Sequence, residues 1–156
     1  MSDLAGAPGY RIATALILLD ARDRFLLLER ATDPSGWAPP GGRCEPPESP
    51  NAAVLRELRE ETGLDCARMV AFNVWYGDIG AHRMVGLDYV GLYAGGEVRL
   101  SEEHRAARWL SLEELRAENL PVAKGFEPRF FERAIHVARE VLRRIPEEHD
   151  TLFTAV

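Results

Sequence analysis

The stretch of sequence that decides the fold covers residues 41–64, GGRCEPPESPNAAVLRELREETGL. Two glycines and a pair of prolines favour a loop at its start. Ser49-Pro50 then supplies a helix with an N-cap and a first residue, and Gly63 supplies the usual C-terminal stop. We therefore predict a loop followed by a helix that ends near Thr62.

Three glutamates share one face of this helix. Glu57, Glu60 and Glu61 are spaced i, i+3 and i+4, which are neighbouring positions on a helix surface. A largely apolar stripe about 120° away can pack against a sheet. Arg56 and Arg59 are expected to point toward the remaining arc, so the glutamates lack a counter-charge. Either the face is solvated, or it binds a hard cation such as Mg²⁺ or Mn²⁺.

The spacing of these residues resembles the Nudix box, G-x5-E-x7-R-E-U-x-E-E-x-G-U, in which U is hydrophobic. Every defined position matches, from Gly42 through Glu48 and Arg56 to Leu64. At ordinary residue frequencies a chance match is on the order of 10⁻⁸ per window. The chain thus resembles the Nudix hydrolases, MutT-like members included, and the resemblance extends over about residues 10–145.

The resemblance implies a Nudix-type α/β/α sandwich with a mixed β-sheet, in which the box forms a loop–helix–loop. Residues 10–145 would form one domain between a flexible N-terminus (1–9) and a C-terminal tail (146–156). The local patterns agree with a mixed α/β protein. They predict strands at Arg11–Leu19, Phe25–Arg30, Trp37–Ala38, 68–76, 84–93 and 107–110, and further helices at 112–116 and 128–144.

The resemblance also implies roles for the residues of the box. Glu57, Glu60, Glu61 and the backbone carbonyl of Gly41 would bind Mg²⁺, with Mn²⁺ as the alternative. Arg56 would pair with Glu48 and orient the loop on the helix. Gly42 and Gly63 would be structural. Clustered carboxylates that hold divalent cations suit diphosphate hydrolysis, because the cations neutralise phosphate oxygens and activate water.

A later loop is the expected source of one more ligand or of the general base. Many family members supply a glutamate there, and the corresponding segment of this chain is Ser-Glu-Glu-His at 101–104. Glu103 is the preferred candidate. His104 is a candidate base or substrate contact. The alternative for both is an exposed turn with polar side chains.

The box loop departs from the common family pattern, which is G-G-x-x-E-x-G-E. Here Pro46-Pro47 occupies the position of the usual glycine and its neighbour. Proline cannot adopt the positive φ that glycine allows. The bend of the loop must therefore be made differently, and the sequence does not predict where the side chain of Glu45 lies.

The resemblance implies hydrolysis of a diphosphate bond in a nucleoside diphosphate linked to another group. Residues 37–42, WAPPGG, are similar to the W-x-x-P-G-G lead-in of MutT-type enzymes. The leading substrate is therefore a (d)NTP or an oxidised (d)NTP, which would yield the monophosphate and pyrophosphate. The proline typical of ADP-ribose hydrolases is absent near Ile79-Gly80. The tyrosine typical of dinucleoside polyphosphate hydrolases is absent near residues 80–82.

Several alternatives stay open at this point. The chain could hydrolyse ADP-ribose, a nucleotide sugar or a dinucleoside polyphosphate. It could also be a non-catalytic Nudix-like domain that binds a nucleotide, although such a domain is expected to lose ligand glutamates and none is missing. A plain structural domain with an acidic helix is the third possibility.

Substrate contacts are predicted from residue type alone. A base could stack on an exposed aromatic ring, and phosphates could meet arginine or lysine, but each residue could equally be core or surface. The candidates are Arg11, Arg30, Tyr76, Arg83, Lys124, Phe126 and Phe130.

Composition limits the partners. The net charge of −6 provides no basic field for a nucleic-acid polymer. Cys44 and Cys66 are too few for a disulfide framework, and no basic segment with a signal-length apolar core is present. We expect a cytoplasmic protein that acts on small nucleotides and has no membrane partner. Dimers are common among similar proteins, so a homodimer is an alternative that the sequence does not decide.

Overall fold

The computed structural model describes residues 9–146, so most of the predicted N-terminal segment and C-terminal tail lies outside the described residues. Strands and helices alternate irregularly along the chain. The strands are β1 (Arg11–Leu19), β2 (Phe25–Arg30), β3 (Trp37–Ala38), β4 (Gly41–Arg43), β5 (Cys66–Ile79), β6 (His82–Tyr93) and β7 (His104–Leu110). The helices are α1 (Pro50–Thr62), α2 (Leu112–Glu118) and α3 (Pro128–Val137), which continues as a π-helical turn at Ala138–Leu142.

The strands form one mixed sheet, in which the order of the main path is β3-β2-β1-β6-β5. Strand β1 is central. It pairs in parallel with β6 along its whole length, from Arg11↔Met84 to Leu19↔Leu92. On its other edge it pairs antiparallel with β2 near its end and with β4 near its middle. Strand β7 pairs antiparallel with β2, which brings the start of β7 to the same edge as Arg30.

The two faces of the sheet carry separate cores. Side chains alternate between faces along a strand, and β1 shows this directly. Leu16 and Leu18 pack with Leu58 of α1 on one face. Ile17 and Leu19 belong to the cluster that contains α3 on the other face. The result is an α/β/α sandwich with a mixed sheet, which confirms the predicted fold class.

Several boundaries differ from the prediction, and those of the strands differ because strand pairing is not local. Residues 77–83 were predicted as a loop, but β5 and β6 stay paired up to Ile79↔His82. Strand β7 begins at His104 and not at 107, because it follows β2 as far as Arg30. Strand β4 was predicted as part of a loop. In α3, the regular helix ends at Val137, and the predicted continuation takes π-helical geometry.

Strand β4 depends on Gly41. A Cβ atom at this position would lie 2.2 Å from the carbonyl oxygen of Thr14 and 2.8 Å from the Cα of Ala15. Both atoms belong to the backbone of β1 and cannot swing aside. The absence of a side chain at Gly41 therefore allows β4 to approach β1 and carry the box loop onto the sheet.

Within residues 9–146, no helix combines the length with the apolar character that crossing a membrane requires.

Gly41→Ala should destabilise the fold by about 2–3 kcal/mol, because the added methyl overlaps backbone atoms. A loss of about 5 °C or more in Tm is expected. Gly77→Ala is the matched control, since its Cβ would meet no atom within 4 Å. Equal Tm values for the two variants would show that β4 does not need this close approach.

Candidate active site and metal centre

Helix α1 is fixed at both ends by the residues predicted to cap it. The Oγ of Ser49 accepts a hydrogen bond from the backbone N–H of Ala52 at 3.2 Å. Gly63 adopts a φ of 72°, and its N–H donates to the carbonyl of Arg59 at 2.8 Å. Leu58 and Thr62 are fully buried. The buried stripe fixes the rotation of the helix about its axis, so that the glutamate face meets the box loop.

Glu61 is the deepest carboxylate of the group, with 6% of the residue exposed. Its Oε2 accepts a hydrogen bond from the backbone N–H of Gly41 at 2.9 Å. The pKa of Glu61 is raised to about 8, chiefly by burial and also by the charges of Glu57, Glu103 and Glu60, against the lowering effect of that hydrogen bond. Without a cation, this carboxyl group is therefore largely protonated at neutral pH.

Gly42 provides the space for Glu57. A Cβ atom at Gly42 would lie 2.3 Å from Oε1 and 2.4 Å from Cδ of Glu57. The carboxylate of Glu57 thus occupies the volume that a side chain on the loop would fill. Burial also raises the pKa of Glu57, and the hydrogen bond from Arg56 lowers it. The missing side chain at Gly42 therefore leaves room for Glu57 beside the loop.

Arg56 joins the loop to the helix. Its Nε and Nη2 donate to the two carboxylate oxygens of Glu48 at 3.0 and 2.7 Å, a bidentate pair. Its Nη2 also donates to the carbonyl of Arg43 at 3.0 Å. The hydrogen bonds from Arg56 lower the pKa of Glu48. This is the contact that the family resemblance implied for Arg56 and Glu48.

The orientation predicted for Arg56 from helix geometry is wrong. The Nη1 of Arg56 donates to Oε1 of Glu57 at 2.9 Å and to Oε2 of Glu60 at 3.1 Å. A long side chain can reach past the arc on which its Cα lies, and the Glu48 pair turns the guanidinium toward the carboxylates. Arg59 does point away, into an exposed pair with Asp65. The acidic face is thus partly neutralised by one arginine.

Proline does not prevent the box loop from forming a tight turn. The N–H of Glu48 donates to the carbonyl of Glu45 at 3.0 Å. The N–H of Glu45 in turn donates to Oε1 of Glu48 at 2.7 Å. The same carboxylate therefore closes the loop and binds Arg56, while the side chain of Glu45 is exposed.

The turn that leads into β7, together with the first residue of this strand, brings two more polar side chains to Glu61. Ligand atoms of Glu61, Glu103 and His104 all lie within 4.8 Å of one another. Backbone hydrogen bonds attach this segment to the end of α1, from Arg99 N to Thr62 O at 2.8 Å and from Ser101 N to Glu61 O at 3.2 Å. Glu103 is exposed, so it lies at the open side of the group.

His104 approaches the group from its buried side. Its Nε2 lies 3.7 Å from Oε1 of Glu61. Burial lowers the pKa of His104, and the charge of Arg30 lowers it further, against the opposing effect of Glu103. The imidazole is therefore neutral at neutral pH. From the sequence, His104 was predicted only as a base or a substrate contact. The β2–β7 pairing that places it beside Glu61 has no local signal in the sequence.

These residues fit a divalent cation. Glu61 and Glu103 offer carboxylate oxygens of the kind that Mg²⁺ and Mn²⁺ prefer within one ligand-sized group, whereas Glu57 and Glu60 lie beside it and bind Arg56, so that their ligand roles stay predictions. The mutual effects of their charges on the pKa of Glu61 place them in one electrostatic group. The group has an opening at the exposed side, where Glu60 and Glu103 lie. The N–H of Gly41 is used by Glu61, and a ligand role for its carbonyl stays a prediction.

The predicted substrate contacts separate into two sets. Phe130 is buried, and Phe126 packs on it with ring centroids 5.3 Å apart, so both belong to the α3 core. Tyr76 is 81% exposed on β5. Together with Tyr10 it lines a shallow depression of about 370 Å³.

The predicted phosphate contacts are all exposed. Arg30 lies opposite His104 in the β2–β7 ladder, which places it next to the carboxylate group. Arg11 begins β1, Arg83 lies opposite Asp78 in the β5–β6 hairpin, and Lys124 lies in the loop before α3. Substrate roles for these residues stay predictions.

Comparison with known proteins agrees with this geometry. The family model described as the NUDIX domain matches residues 9–133. The chain is 34% identical over 96 residues to the mouse bis(5'-nucleosyl)-tetraphosphatase [asymmetrical], a match that covers 58% of this chain and 65% of that protein. It therefore spans slightly less than two thirds of that relative. It is 32% identical over 114 residues to the uncharacterised Nudix hydrolase YvcI of Bacillus subtilis, a match that covers 69% of this chain and 70% of that protein.

Solved structures show the same fold. The crystal structure of the MutT protein from Methanosarcina mazei superposes with a TM-score of 0.70 at 28% sequence identity. The match covers 83% of this chain and 96% of that protein. Because the family model covers most of the chain and includes the whole box, the chain belongs to the Nudix family.

Proposed function

We propose that this protein hydrolyses a diphosphate bond in a nucleoside diphosphate linked to another group, with Mg²⁺ as the cofactor and Mn²⁺ as an alternative. One observation carries the proposal: Glu61 of the box helix and Glu103 of a distant segment come within 4.8 Å of each other, beside Glu57 and Glu60. Like charges are brought together at a cost, and a divalent cation compensates for it.

When bound, the divalent cation would neutralise phosphate oxygens and polarise a water molecule for attack on phosphorus. The residues of the chain would bind and orient this cation. Glu61 must first release the proton that burial keeps on its carboxyl group. Arg56 holds Glu57 and Glu60 in place through Nη1 and anchors itself on Glu48. Glu103 is our candidate to accept the proton of the water, since it lies at the exposed side.

A nucleoside triphosphate is the first candidate substrate. The WAPPGG lead-in supports it, since this stretch is similar to that of MutT-type enzymes and its two glycines lie against β1 and the carboxylate of Glu57. The similarity to the M. mazei MutT protein over most of both chains supports it too. Cleavage would yield a monophosphate and pyrophosphate.

A dinucleoside polyphosphate is the second candidate. The mouse relative is named for this activity and is 34% identical over the matched region. The absence of the tyrosine expected near residues 80–82 argues against it. Tyr76 is exposed in the same hairpin and is available for stacking on a base.

A substrate panel tests the proposed function and separates the candidates. The purified protein is incubated with Mg²⁺ or Mn²⁺ and dGTP, 8-oxo-dGTP, diadenosine tetraphosphate, ADP-ribose and nucleotide sugars. Pyrophosphate release from a triphosphate would support the first candidate. Release of a mono- and a triphosphate from the tetraphosphate would support the second. No turnover of any compound with either cation would overturn the proposed function.

Glu61→Gln should reduce turnover by about 10³-fold or more, because the amide keeps the shape but cannot supply a charged ligand. Glu103→Gln should reduce turnover less, since Glu103 is exposed at the edge of the group. Glu102→Gln is the control, because Glu102 is an exposed neighbour outside the group. Retained activity in Glu61→Gln would refute the metal-site assignment.

Arg56→Lys should lower turnover by about 10- to 100-fold and raise the Mg²⁺ concentration needed for half-maximal activity. An ammonium group cannot make the bidentate pair with Glu48 and contact Glu57 and Glu60 at once. Arg59→Lys is the control, since Arg59 makes an exposed pair with Asp65. If both variants behave like wild type across a Mg²⁺ titration, Arg56 does not position the ligands.

The stability of the cation-free protein should depend on the ionisation of Glu61. Its pKa is raised from 4.5 to about 8 in the folded state, so the fold gains stability from the bound proton below the unfolded pKa. This contribution is lost as pH rises through the folded pKa. Between about pH 5 and pH 8.5 in EDTA, wild type should lose about 2–4 kcal/mol of unfolding free energy relative to Glu61→Gln.

Denaturant unfolding at the two pH values measures this difference. Mg²⁺ should restore the stability of wild type at the higher pH, because the cation binds the ionised carboxylate. It should stabilise Glu61→Gln much less. A constant difference between the proteins across this range would show that Glu61 titrates with an ordinary pKa.

A further inference from the structure

The imidazole of His104 is buried with its hydrogen-bonding capacity unused. Only 9% of the side chain is exposed. Its Nδ1 is buried and has no hydrogen-bond partner among residues 9–146. Its Nε2 lies 3.7 Å from Oε1 of Glu61, which is longer than a hydrogen bond. A buried polar atom without a partner destabilises the fold, so the ring nitrogens of His104 are expected to meet partners outside the described residues.

The surrounding atoms fit a cation as the partner of Nε2, the ring nitrogen that faces Glu61. One ligand atom each from His104, Glu61 and Glu103 lies within 4.8 Å of the other two. Two atoms that bind one ion at about 2.1 Å each can be at most about 4.2 Å apart. The Nε2–Oε1 separation of 3.7 Å lies inside this limit. Small side-chain rotations would bring the exposed carboxylate of Glu103 into the same coordination sphere.

We propose that His104 is a direct ligand, through an imidazole nitrogen, of a divalent cation that also binds Glu61 and Glu103. The inference rests on the proposed function only in that it uses the same carboxylate group. An imidazole donor favours Mn²⁺, Co²⁺ and Zn²⁺ over Mg²⁺, because Mg²⁺ prefers oxygen ligands and Mn²⁺ and the later metals accept nitrogen more readily. His104 would therefore set the metal preference of this site.

Electron spin echo envelope modulation of the Mn²⁺-loaded protein tests the inference without using activity. We expect directly coordinated nitrogen-14 in wild type, and its replacement by the nitrogen-15 signal after selective labelling of histidine. His104→Gln should abolish the histidine signal. His136→Gln is the control that should retain it, because His136 is exposed on α3 and absent from the ligand group.

Metal affinities provide the second readout. His104→Gln should weaken Mn²⁺ binding by about tenfold or more, the loss that removal of even an outer partner of a metal ligand causes. Mg²⁺ binding should change less, so the ratio of the Mg²⁺ Kd to the Mn²⁺ Kd should fall toward one. Both are measured by calorimetry on the purified full chain, with circular dichroism to verify that each variant is folded.

The outcomes separate this inference from the proposed function. Bound Mn²⁺ with no histidine nitrogen signal in wild type would overturn the role of His104, whatever the variants do, and would leave hydrolysis by the carboxylate group intact. An equal loss of Mn²⁺ and Mg²⁺ affinity in His104→Gln would also overturn it. A substrate panel without turnover would overturn the proposed function while a nitrogen signal still supported the ligand.

Discussion

The close approach of Gly41 to β1 is the contact on which the site depends. The Cα of Gly41 lies so near Thr14 that no side chain can be inserted. This approach makes β4 a strand of the sheet and points the N–H of Gly41 at the carboxylate of Glu61. Gly42, one residue on, leaves its volume to Glu57. The missing side chain at Gly41 thus lets the loop lie against β1, and the missing side chain at Gly42 leaves room for the carboxylate of Glu57 from the helix.

In this site, the burial of Glu61 opposes the ionisation of its carboxyl group. The fully buried Leu58 holds α1 against the sheet, while Glu61 on the same helix is buried without a charged partner at hydrogen-bond distance among the described residues. The resulting rise in the pKa of Glu61 is the electrostatic strain that a cation would relieve. Arg56 relieves part of it on the neighbouring carboxylates, and its anchor on Glu48 makes the box loop part of the metal site.

The predictions from sequence were confirmed where they depend on residues close together in the chain. Ser49 and Gly63 cap α1 as predicted, because capping depends on residues within one turn. The strands β1 and β2 also have the predicted bounds. Strand β4 was missed, because two glycines normally interrupt a strand and here permit one. The orientation of Arg56 was wrong, because helix geometry places Cα atoms and does not describe how far a guanidinium reaches.

The sequence by itself determined the helix that carries the carboxylates, because helical periodicity and turn chemistry act within residues 41–64. The match of the same stretch to the Nudix box implied the family and the pairing of Arg56 with Glu48. The resemblance implied a role for Glu103 in the site, but only the tertiary structure places Glu103 and His104 beside Glu61, and Phe126 and Phe130 in the core. Those contacts join segments about forty residues or more apart through β2–β7 pairing and packing across the sheet, and no short-range pattern encodes them.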